Sequence, residues 1–66
     1  MAKELSQTKS FYELFKILDS SDRNTLVTTR SSGTEADVVT ILDGWKTSHS
    51  NADVRSLCDK VLADIA

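Results

Sequence analysis

At 66 residues, with a net charge of −2, 27% charged and 39% apolar residues, the chain has the composition of a globular domain and is too apolar to stay disordered. A chain this short buries only about 60% of the surface its unfolded form exposes, which excludes a second domain and a deep cleft, so residues 1–66 are read as one small helical domain. The single cysteine, Cys58, excludes an intrachain disulfide, and with the single histidine, His49, it makes no metal cage; no metal or cofactor is expected, and self-association or tight helix packing is left to support the fold.

Phe11, Leu14, Phe15 and Leu18 recur at i, i+3, i+4 and i+7, the period of an amphipathic helix. The spacing predicts a first helix over residues 7–19. Ser10 with Glu13 reads as a capping box at its start, with Ser6 or Thr8 as earlier possible starts. The run Asp19-Ser20-Ser21-Asp22 ends it, because these side chains compete for backbone hydrogen bonds.

Residues 22–30, "DRNTLVTTR", hold only Leu26 and Val27 as large apolar residues, and paired threonines suit a strand better than a helix. A short, weak helix over 22–29, capped by Ser20 or Ser21, completes an all-α fold. A strand here would instead give an α+β fold with a small hairpin between two helices.

The next stretch, "TEADVVTILDGWKTSHSNAD", can be read either way. Asp43-Gly44 after β-branched residues resembles a hairpin turn. Against that, Thr34 and Asp37 repeat a capping box behind Gly33, and Val38, Ile41, Leu42 and Trp45 share one helical face, whereas a strand would give no clean alternation. A helix over 35–46 is the better reading, with Gly44 costing about 1 kcal/mol relative to alanine.

The last segment carries Val54, Leu57, Cys58, Val61, Leu62 and Ile65 on a three-turn stripe behind Ser50 and Asp53 as a cap. It is read as a helix over 51–65. Arg55 with Asp59 and Lys60 with Asp64 add i, i+4 pairs of a few tenths of a kcal/mol each. The fold class expected is therefore a small all-α bundle of three or four short helices.

Chemistry-bearing patterns are sparse. Cys58 lies on an apolar stripe, where a thiol behaves as a small hydrophobe, and His49, between Ser48 and Ser50, has no acid spaced to orient it. Gly33 and Gly44 belong to no phosphate loop. An enzyme is not expected. A helix-turn-helix nucleic-acid binder has roughly the right lengths over 35–65, but the second helix begins "NADVRS" and offers Arg55 among Asp53, Asp59 and Asp64, a poor surface for phosphates. Residues 1–32 carry five Lys/Arg against four Asp/Glu and residues 33–66 three against six, so neither half is strongly basic.

The stretch "ILDGWKTSHSNADVRSLCDKVLADI", residues 41–65, resembles the last two helices of the four-helix N-terminal domain of transcription elongation factors. There a helix ends in a basic-His-Ser stretch and the next carries a leucine and small-residue stripe. That resemblance covers under half the chain and implies peptide-motif binding. It departs from the family pattern in "SSGTEAD" before the third helix, and in Ile65 where the family tends to have a closing tryptophan.

The surplus apolar surface is on the first helix. At about 100° per residue, Tyr12 and Ile17 widen its apolar arc to roughly 220°, more than one core contact requires. Phe11, Tyr12 and Phe15 are therefore expected to meet a partner, another protein or a second copy of the chain, and Trp45 is a further candidate because tryptophan concentrates at binding hot spots, although it shares the core stripe of its helix. The function expected is a small protein–protein interaction domain: a regulator, inhibitor, adaptor or assembly subunit forming a homodimer. With no secretion or transmembrane signal and no lipidation motif in the residues given, a cytoplasmic setting is expected and no membrane partner.

Overall fold

The apolar stripe of the last helix organises the core. In the computed structural model, which describes residues 3–66, Val54, Cys58, Val61 and Ile65 are buried on one side of that helix. Around it stand a 3₁₀ turn, Leu5–Gln7, and four α-helices: α1 (Lys9–Ile17), α2 (Ser20–Ser32), α3 (Glu35–Ser48) and α4 (Ala52–Ile65), with no strand among the described residues. The fold is a small all-α bundle. The hairpin alternative is overturned, since Asp43 and Gly44 lie inside α3.

Helix α3 packs along α4, α1 packs on α4 from another side, and α2 packs on α3. Leu5, Phe11, Leu14, Leu18, Leu26, Val38 and Leu42 close on the α4 stripe to form one core, with Phe15, Val39, Ile41, Trp45, Leu57 and Leu62 half-buried around it. The radius of gyration is 10.6 Å, close to the value of about 10.8 Å for a packed chain of this length. Each fully buried aliphatic residue contributes about 1.5–3 kcal/mol, so the α4 stripe outweighs any local propensity in the chain.

Several starts and ends differ from the sequence reading for identifiable reasons. Ser10 does not cap α1: it is the second residue of that helix, buried, and its hydroxyl donates to the Asp64 carboxylate of α4. The N-cap is Thr8, whose hydroxyl donates to the Leu5 carbonyl at 2.8 Å. A tertiary acceptor has replaced the local one. Ser50 likewise yields to Asn51, whose side chain accepts from the backbone N–H groups of Asp53 and Val54.

Helix α2 is the largest departure, 13 residues in place of a short stretch over 22–29. Its cap is Asp19, which accepts from the Asp22 N–H at 2.8 Å, so the α1–α2 turn is only Leu18 and Asp19. The threonines and serines that argued against a helix turn their hydroxyls back on it: Thr25 donates to the Ser21 carbonyl, Thr29 to Thr25 and Ser32 to Thr28. Leu26, 2% exposed, is the one residue of α2 buried in the core.

The capping box of α3 forms as expected, with the Thr34 N–H donating to Asp37 at 2.9 Å. Gly33 serves it through close approach, not through a left-handed backbone: its φ is −135°, and a Cβ there would lie 2.3 Å from the Asp37 carboxylate oxygen.

Candidate interaction groove

Because α1 rests on α4 and α2 on α3, the two helices have little direct contact with each other along their length. An open groove of about 210 Å³ is left between them. Phe11, Tyr12 and Phe15 of α1 form one wall, Leu26, Val27 and Arg30 of α2 the other, and Val38 of α3 reaches its base. Phe11 meets Tyr12 edge-on at 6.3 Å and Phe15 at 6.1 Å between ring centroids, a pre-ordered aromatic wall.

The two lips are exposed. Tyr12 keeps 53% of its surface accessible and Val27 52%. The Tyr12 hydroxyl donates to the Ser6 carbonyl at 3.1 Å, which fixes the ring as a wall of the groove. At one end, Arg23 of α2 donates to the carbonyls of Phe15 and Lys16 at 2.8 and 2.9 Å, covering the last turn of α1, and its guanidinium carbon lies 5.7 Å from the centre of the Phe15 ring. Two turns along α2, exposed Arg30 takes part in neither of the ion pairs among the described residues. No carboxylate lines the groove.

Of the four partner-binding candidates read from the sequence, the structure brings Phe11, Tyr12 and Phe15 together and leaves Trp45 apart. Trp45 is half-buried against the core, its ring 5.4 Å from His49 in an edge-on arrangement. Ile17, the other residue of the widened arc, is 42% exposed but is not part of the groove. The α2 wall was missed altogether. The only hint was an apolar Val27 next to the single core leucine in an otherwise polar segment, with Arg23 and Arg30 seven residues apart on the same helical face.

His49 is a structural junction. Its Nδ1 accepts the Asn51 N–H at 3.0 Å at the start of α4, so Nε2 carries the proton and donates to Asp22 of α2 at 2.8 Å. The carbonyl of His49 accepts from Arg55, which turns the one arginine of the presumed DNA-recognition helix back onto the protein. Cys58 is fully buried, and burial pushes its thiol up from 9.0 to about 11. Among the described residues no group of three His, Cys, Asp or Glu side chains is placed to hold a metal, and no helix is long and apolar enough to cross a membrane.

No family model, curated protein or solved structure matches the chain. The resemblance of residues 41–65 to the elongation-factor domain therefore assigns no family.

Proposed function

We propose that this chain is a small non-enzymatic protein–protein interaction domain, a regulator, inhibitor, adaptor or assembly subunit, that works through the groove between α1 and α2. The observation that carries the reading is the groove itself: three aromatic rings of α1 face Val27 and Leu26 across an open, apolar space in a chain whose core is already closed. Exposed Tyr12 and Val27 and half-buried Phe15 stand over a floor of the core residues Phe11, Leu26 and Val38; exposed apolar surface of this kind marks interaction sites, and aromatic residues and arginine are enriched at them. The engaged nitrogens of His49 and the buried thiol of Cys58 leave neither placed as a base or nucleophile, which favours binding over catalysis. A reducing, cytoplasmic compartment fits a lone free cysteine.

The partner is a second copy or another protein, and both forms need the same surface. Tyr12→Asp should abolish association and leave the far-UV circular dichroism of the helices intact. Light scattering from low to high micromolar concentration reads the self-associating form, and a strictly monomeric mass throughout removes it. Loss of helicity in the variant would return Tyr12 to a structural role and defeat the reading.

A further inference from the structure

We infer that the groove takes an amphipathic helix of a different protein, one that inserts apolar side chains between α1 and α2 and presents a carboxylate to Arg30. The inference rests on the interaction reading above and specifies its partner.

Three observations define the occupant. The lining residues all lie in helices, and their only polar side chains are Tyr12, whose hydroxyl is already donated to Ser6, and Arg30. An extended segment laid there would leave its backbone N–H and C=O groups without partners, and no strand edge among the described residues offers them. A helix satisfies its own backbone and brings only side chains, at i, i+3, i+4 and i+7.

Charge sets the second requirement. Arg23, Val27 and Arg30 share one face of α2 at about 100° per residue. Arg23 is engaged by α1 carbonyls, as Arg55 is engaged by His49, whereas Arg30 at the groove is exposed and outside the ion pairs of the described residues. With no carboxylate in the lining, the complement is an acidic group on the occupant, and a charge-assisted, bidentate contact fits guanidinium best.

Shape sets the third. A two-fold pairing presents the same patch from both copies. Two grooves facing one another bring Arg30 toward Arg30, with no carboxylate in either lining to meet them. Docking another face of a second copy would be head-to-tail, a contact that builds rings or open chains and not a two-fold pair.

The test uses a displayed library of 16-residue segments, randomised at every position and selected against the full chain at low salt. The enriched segments are then measured against the wild type, Val27→Asp, Arg30→Gln and Arg30→Glu. Enriched segments should carry apolar residues at helical spacing with Asp or Glu beside them, and their affinity should fall at least tenfold for Val27→Asp and for Arg30→Glu, and less for Arg30→Gln. Tyr12→Ala, on the other wall, repeats the groove test should Val27→Asp loosen α2. Segments that need Val27 yet show no acidic preference, or that bind Arg30→Glu as well as wild type, overturn the acidic partner and leave the groove reading standing. Segments indifferent to both groove variants, or no enrichment at all, overturn both. A doubling of mass in light scattering that Val27→Asp abolishes, with no segment able to compete, overturns the separate partner in favour of a second copy.

Discussion

Helices α2 and α4 are nearly equal in length, 13 and 14 residues, and are held by opposite means. Helix α4 buries Val54, Cys58, Val61 and Ile65 and contacts both α1 and α3. Helix α2 buries Leu26 alone, packs on α3, and draws the rest of its support from the Asp19 cap, hydroxyls bonded back to its own carbonyls, and arms thrown to neighbours: Arg23 to α1 and Asp22 to His49. Tertiary burial makes one helix the centre of the core. Local hydrogen bonding, worth about 0.5–1.5 kcal/mol net per bond, supports the other, whose packing on α3 and not on α1 leaves a distance between α1 and α2. That distance is the groove.

The strongest way to break this comparison is to remove the single anchor. Leu26→Ala should cost about 2–5 kcal/mol in urea denaturation, and native-state hydrogen exchange should show α2 amides losing protection well ahead of those of α4. Uniform loss across both helices would mean that α2 is not a separate unit.

Alkaline titration probes the other side. The thiol of Cys58 ionises near 9.0 when unfolded and near 11 when folded. A raised folded value favours the folded state fully below pH 9, and that contribution is lost as pH climbs from 9 to about 11. The slope is at most about 1.4 kcal/mol per pH unit. Cys58→Ala should flatten the slope in denaturation curves collected across that range, and in the wild type the thiol should react with Ellman's reagent at pH 8 only as the chain unfolds.

The two glycines should respond with opposite signs. A Cβ at Gly44 meets nothing within 4 Å, so Gly44→Ala should raise stability by about 1 kcal/mol. A Cβ at Gly33 collides with the Asp37 carboxylate and crowds the Thr29 carbonyl at 3.1 Å, so Gly33→Ala should lower it by about 1 kcal/mol through the lost cap. Thermal melts of the two variants read the difference directly. Smallest of all, Val27→Asp should change stability by no more than about 0.5 kcal/mol, since an exposed position removes no core contact. A larger loss would make Val27 part of the fold instead of the groove.

Burial and period carried most of the fold in the sequence. The stripes of α1, α3 and α4 are legible because large apolar residues at 3.6-residue spacing have only one face to bury, and the Thr34 and Asp37 cap is legible because both partners are local. Where a side chain's partner is distant in sequence, the local reading failed. Ser10 looked like a cap and instead bonds Asp64, 54 residues away. Helix α2 looked marginal because its weak apolar pattern says nothing about α3 beneath it.

The candidate site divides in the same way. The excess apolar arc of α1 pointed to Phe11, Tyr12 and Phe15 from spacing alone. Trp45, chosen on residue type, is half-buried against the core as Phe15 is, but it stands on α3 outside the groove. The sequence by itself determined three amphipathic segments and an aromatic face larger than one contact needs, and left residues 22–30 open between a weak helix and a strand. Only the tertiary structure decided that α1 and α2 stand on different supports, since a gap between two helices depends on where each finds its burial, and no local pattern in either helix encodes the other's position.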